Sequence, residues 1–230
     1  MELSIVTACS RPHFLPKLYE SIDFDKIKQW IIVYDTSKGY KFEQLYPDNP
    51  KILELESEKP TLIGGVPKTM GIQLIESGFV YIMDDDNIVH PDFWKLIDSM
   101  EFDSRYFYTF NSFICADGSV LYGNQCKTGT IDTSQYIIPR NMIGTNIWDD
   151  TYDGDGKFIE KVYNANKDKL FYINKVCSYY NFLTKVGIGK NTTFMKNFLT
   201  KTIIKNNDVK KPEQIKKCSA PVKNWLKKIK

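Results

Sequence analysis

The chain has 230 residues, 42% of them hydrophobic and 26% charged, with a formal net charge of +3 at pH 7. That balance excludes wholesale disorder and suits one sizeable domain with or without an appendage. The small net charge hides an asymmetry: from residue 185 onward thirteen lysines face only Asp208 and Glu213, leaving 18 basic and 26 acidic residues before them, so an acidic body carries a basic tail.

The five cysteines (Cys9, Cys115, Cys126, Cys177 and Cys218) are odd in number and scattered, with no CxxC pair. They read as reduced thiols in a cytoplasmic protein, not as a disulfide framework or a zinc site. His13 and His90 are the only histidines, so a His-rich metal centre is excluded. No apolar run approaches the roughly 18 residues that a membrane span needs, and the N-terminus lacks a basic region followed by a long apolar core. On this reading the Asn191-Thr192-Thr193 sequon is accidental.

Leu3 to Ala8 is a short apolar run of the kind found in a central parallel strand. After the loop Cys9-Ser10-Arg11-Pro12, residues Phe14, Leu15, Leu18, Tyr19 and Ile22 recur at helical spacing. Trp30 to Tyr34 is a second strand, closed by Asp35-Thr36-Ser37-Lys38-Gly39, and Lys51 to Leu55 is a third. Beyond Gly64 to Lys68, apolar residues from Thr69 on predict a helix reaching Gly78.

Phe79 to Met83 predicts a buried strand that ends in Asp84-Asp85-Asp86-Asn87. Pro91 then opens a helix bearing Phe93, Trp94, Leu96, Ile97 and Met100. Carboxylates crowded at one strand end repel one another unless a cation or a dense set of donors compensates, and hard oxygen ligands suit Mg²⁺ or Mn²⁺. The same four residues would also serve as a solvated turn capping the next helix.

Strand and helix alternate to residue 100, which predicts a mostly parallel sheet with helices on its faces and a ligand site at the carboxyl ends of the strands. Farther on, Phe107 to Ile114, Val120 to Tyr122 and Gln135 to Pro139 read as extended segments. Gly144 to Gly156 is polar and loop-like, Phe158, Ile159 and Val162 restart a helix, and Phe171 to Ile173 is the last clear strand.

Four pieces in order, SIVTACSRP, IIVYDTSKG, GVPKTMGIQLIESGFVYIMDDDN and IDTSQYIIPRNMIGTNIWDDTYDGDGKFIEKV, resemble the GT-A-fold, nucleotide-sugar-dependent glycosyltransferases, and the likeness is to the inverting family 2 group with its DxD motif. The resemblance covers roughly residues 3 to 183 and implies an α/β, GT-A (Rossmann-like) domain over residues 1–184, with a Lys-rich helical extension over 185–230 beyond it. It implies a transferase of the hexosyl or deoxyhexosyl class that moves a sugar from a nucleotide-diphosphate donor, UDP-sugar foremost, to a hydroxyl on a glycan. Asp35 then sits where the family contacts the base, with Thr7 and Ala8 lining the same pocket and Arg11 near the base or diphosphate. Lys68-Thr69 stands where many relatives have Arg-Asn. Asp84 and Asp86 form the DxD, with Asp86 on Mn²⁺ or Mg²⁺ and Asp84 or Asp85 on the ribose. Asp155 matches the catalytic base, and Asp153 and Asp150 are neighbours that could take that role. Trp148 could stack on a sugar ring or simply pack under a loop.

In the tail, lysines alternate with Phe194, Phe198, Ile203, Trp225 and other apolar residues, the pattern of amphipathic helices that fold onto the domain or lie on an anionic membrane surface. Nucleic acid is not an expected partner, because the body is acidic and no nucleic-acid module is recognisable. A nucleotidyltransferase and a non-catalytic nucleotide-sugar-binding module share the same layout and remain the alternatives.

Overall fold

The computed structural model describes residues 1–39 and 41–186. Four strands, β1 (Leu3–Cys9), β2 (Gln29–Asp35), β3 (Ile52–Ser57) and β4 (Phe79–Ile82), pair in parallel in the order β3-β2-β1-β4. The sheet continues through β8 (Tyr136–Pro139), antiparallel to β4, then β6 (Phe107–Ile114), β9 (Leu170–Tyr180) and β5 (Ile88–Val89), with β7 (Val120–Leu121) paired to β6. Two features differ from the sequence reading. The last strand runs on to Tyr180, because its polar half is held by parallel pairing with β6 rather than by an apolar pattern. The helix after Ser57, α2, spans Gly65–Gln73 and so starts before Thr69. Pro67 lies in its first turn, where a backbone N–H has no intrahelical partner to lose.

The parallel strands are buried on both faces, and alternate residues feed two different cores. Ile5, Trp30, Ile32, Tyr34 and Tyr81 pack with α1 (Leu15–Ser21) and α3 (Pro91–Ser99) through Leu15, Leu18, Phe93 and Leu96. Val6, Ile31, Val33, Val80 and Ile82 pack on the other face with α2, α4 (Arg140–Ile143) and α5 (Gly154–Ala165). At roughly 1.5–3 kcal/mol for each large side chain removed from water, these two layers are the main source of stability. After β9 the chain makes a turn at Asn181, the one non-glycine residue with positive φ (54°) among the described residues, and enters α6 (Phe182–Val186). The Lys-rich extension read from the sequence lies, beyond Val186, outside the described residues. So does Cys218; Cys9, Cys115, Cys126 and Cys177 are buried and form no disulfide among the described residues. No helix among the described residues is long and apolar enough to cross a membrane.

Candidate active site

The loops that leave β1, β2 and β4 at their carboxyl ends meet in one open cleft of about 670 Å3. Asp35, Asp84, Asp85, Asp86, Asp153 and Asp155 all reach its wall, facing two cations, Arg11 and Lys68. The DDDN turn at the end of β4 divides its carboxylates among different tasks. Asp85 is almost fully buried and accepts the backbone N–H groups of Ser10 and Arg11, both at 2.8 Å, together with the Arg11 guanidinium. Its work is therefore to fasten the β1 loop to the β4 turn. Asp86 pairs with Arg11 at 3.0 Å and accepts from the Thr184 hydroxyl at 3.2 Å, while its backbone carbonyl accepts from Leu183. Burial pushes the Asp86 carboxyl up to about 6, against the pull of Arg11.

Asp84 points elsewhere. It lies 2.8 Å from the Lys68 ammonium, and the same nitrogen is 3.1 Å from Asp155 in the first turn of α5. Lys68 is 3% exposed and rests over the Trp148 ring at 4.6 Å, and that indole in turn stacks on Phe158 at 4.4 Å. Of the two roles open to Trp148 in the sequence, packing under the loop is the one its burial matches. Burial alone would lower the Lys68 ammonium's affinity for its proton, but Asp155 and Asp84 outweigh it and push the group upward. Burial raises Asp155 above the usual carboxylate range, opposed by Lys68 and reinforced by Asp84.

The local sequence explains how Asp155 comes so close. It stands between Gly154 and Gly156, and a Cβ on Gly154 would lie 2.3 Å from the Asp149 carbonyl and 2.9 Å from Trp148 Nε1. One on Gly156 would lie 2.6 Å from the Thr128 backbone. Only residues without a side chain let the start of α5 press against both neighbours.

The sequence reading missed Asp132. It caps a short 3-10 turn, is 6% exposed, and lines the cleft together with Asp84 and Asp155. One carboxylate oxygen from each of these three acids lies within 4.8 Å of the others. Burial pushes the Asp132 carboxyl well above its ordinary range, with Asp155 and Asp84 adding to the effect. An Asp-Thr-Ser cap looks like any other turn, so only the fold reveals its place.

The remaining candidates scatter. Asp35 is buried at the cleft wall and accepts from the Ser37 N–H at 3.2 Å. Ala8 lines the cleft, but the Thr7 side chain turns into the core, where its hydroxyl accepts from Trp30 Nε1 at 3.0 Å. Asp153 is bound to Lys157 at 2.8 Å on the outer rim, and that hydrogen bond holds its carboxyl below the usual range. Asp150 accepts from Thr61, Leu62, Ile63 and Gly65, so its carboxylate ties down the loop before α2.

Among solved structures the fold is similar to that of S. aureus TarS. The TarS 1-349 complex with UDP-GlcNAc superposes with a TM-score of 0.60 at 14% identity, over 78% of this chain and 58% of that one. The complex of the same fragment with UDP gives 0.59 at 14% identity, over 93% and 77%. Full TarS gives 0.59 at 13%, over 96% of this chain and 42% of its own length. The chain thus spans about two fifths to three quarters of these proteins, and at such identity the likeness carries the fold, which is GT-A-like. No protein-family profile and no curated protein matches the sequence.

Proposed function

We propose that this protein is a glycosyltransferase that uses a nucleotide-diphosphate sugar, UDP-sugar foremost, as donor and a glycan hydroxyl as acceptor, with inversion at the anomeric carbon. The observation that carries this reading is the meeting of Asp84 and Asp155 across Lys68 on the wall of a cleft at the carboxyl ends of parallel strands. The TarS structures bound to UDP-GlcNAc and UDP add support, since they share the fold.

The division of labour follows from chemistry. The acceptor oxygen bonds to the anomeric carbon as the bond from that carbon to the β-phosphate oxygen breaks, and UDP departs with the bonding pair. Asp155 takes the proton that the acceptor hydroxyl loses. Its raised proton affinity suits that task, because a base is efficient when its pKa lies nearer the working pH. Asp153, held by Lys157 at the rim, is the less suited of the two. Asp35 and the Ala8 backbone receive the nucleoside, and Arg11 faces the diphosphate.

A cleft with this many carboxylates repels a diphosphate, so the donor set calls for a hard divalent cation. The residues fit one. Asp84 offers an oxygen within 4.8 Å of those of Asp132 and Asp155, and Asp86, paired with Arg11, follows on the same turn and lines the cleft. Mn²⁺ or Mg²⁺ held by Asp84 and Asp86 would supply charge neutralisation for the leaving diphosphate. Lys68 holds Asp84 and Asp155 on either side of one ammonium.

Incubation with UDP-glucose or UDP-GlcNAc and Mn²⁺ tests this reading through slow transfer to water. Free UDP should accumulate with the wild type and not with Asp155→Asn, which should still bind UDP. Release of pyrophosphate would point to nucleotidyl transfer instead, and binding without any release would point to a binding module.

A further inference from the structure

Asp132 is held in an unusual way for a buried acid. One of its oxygens, Oδ2, accepts from the Ser134 N–H at 3.2 Å, the Ser134 hydroxyl at 2.9 Å and Asn87 Nδ2 at 3.3 Å. The other, Oδ1, receives no hydrogen bond among the described residues, and the residue lines the cleft. Asn87 is itself fully buried and locked, its Oδ1 accepting from the Asn181 N–H at 2.7 Å. The Gln135 side chain accepts from the Asp132 N–H at 2.8 Å, which completes the frame. A carboxylate fixed this firmly through one oxygen has its second oxygen aimed, not adaptable. Next to it the Tyr136 hydroxyl, also fully buried, finds no hydrogen-bond partner among the described residues, and its strongest charged neighbours are Asp155, Asp132 and Asp84.

An oxygen held in place at the cleft and claimed by no protein donor among the described residues is open to a donor from a ligand. If the donor diphosphate lies at Asp84 and the acceptor hydroxyl at Asp155, the transferred sugar lies in the cleft beside both, within reach of the third acid. We propose that Asp132 is a specificity residue: its Oδ1 pairs with a ring hydroxyl of the transferred sugar and so selects donors that present a free hydroxyl at that position. This inference rests on the proposed function and names a contact that reading does not require. A third cation ligand is the rival role for the same oxygen. Lys68 already compensates Asp84 and Asp155, and the sugar hydroxyls are the donors that a transferase cleft has otherwise left unpaired. Sites that hydrogen-bond a substrate hydroxyl discriminate strongly against analogues that lack it.

Calorimetric titration with UDP, UDP-glucose and UDP-GlcNAc in the presence of Mn²⁺ tests the proposal, on the wild type, Asp132→Asn and Asp132→Ala, with melting curves to confirm that each variant is folded. Asp132→Asn keeps the shape and an acceptor for Ser134, so it is the informative variant if Asp132→Ala fails to fold. UDP should bind the variants within about twofold of the wild type, while the preferred UDP-sugar should bind about tenfold more weakly, because a hydrogen bond to a charged group is the stronger kind. Unchanged binding of both UDP and UDP-sugar would overturn the sugar contact. So would equal loss of both, which assigns Asp132 to the cation or the diphosphate. If the wild type binds neither UDP nor any UDP-sugar, the proposed function fails and this inference fails with it.

Discussion

Lys68 and Asp155 are 87 positions apart in the chain and 3.1 Å apart in the fold, and the same ammonium reaches Asp84 at 2.8 Å. One buried cation on α2 thus sets the distance between the acid at the end of β4 and the acid at the start of α5. The two ends of the proposed chemistry are joined through one buried side chain on the cleft wall.

Replacing Lys68 by Met leaves Asp84, Asp132 and Asp155 crowded with no compensating charge. Removal of one partner from a buried ion pair costs about 3–5 kcal/mol, and the expected loss of unfolding free energy in a denaturant titration falls in that range. Added Mn²⁺ should restore more stability to Lys68→Met than it gives the wild type. An unchanged midpoint would mean that the ammonium does not hold the acids together.

Asp86 makes a prediction about pH. Burial raises its carboxyl from 3.8 to about 6. Between those values the folded protein keeps a proton that the unfolded chain has released, so this group's contribution to stability is fully present below 3.8 and is lost as pH rises through 6. The unfolding free energy of the wild type, measured against Asp86→Asn, should therefore decline from about pH 4 to about pH 6.5 and level off above. A difference that is flat or rises across that interval would contradict the burial of Asp86.

Gly154→Ala places a Cβ against two groups that cannot easily move, the Asp149 carbonyl and the Trp148 indole. Overpacking of this kind costs about 1–3 kcal/mol. Because α5 must shift to relieve it, Asp155 shifts too, and UDP release should fall by at least tenfold while UDP affinity stays near the wild-type value. Turnover equal to wild type would show that the approach of α5 is not critical.

The parallel half of the sheet was legible because β1, β2 and β4 are short, continuously apolar and separated by helical periodicity, with Asp35 and Asp84 following directly on two of them. The second half was harder to read. Asn174 and Lys175 carry no strand pattern and lie at a register shift, with pairing to β6 on either side of them at Tyr172 and Val176. In the site, the sequence brought Asp84 and Asp155 into view as acids, but nothing local distinguishes them from Asp85, Asp150 or Asp153. What separates them is what each carboxylate accepts. Asp85 and Asp150 are committed to backbone N–H groups of loops, Asp153 to a surface lysine, and Asp84 and Asp155 to a buried ammonium. Asp132 was invisible for the same reason, its role being set by Asp84, Asn87 and Asp155, which only the fold brings beside it.

The central claim is that this cleft binds a nucleoside diphosphate through a divalent cation at the end of β4. Titration of the full chain with UDP, GDP, CDP and TDP, each with and without Mn²⁺, and repeated on Asp84→Asn and Asp86→Asn, tests it directly. One nucleoside diphosphate, UDP, should bind when Mn²⁺ is present, and either substitution should weaken it by at least tenfold. Binding that ignores both the metal and these two residues, or no binding of any of the four, would contradict it.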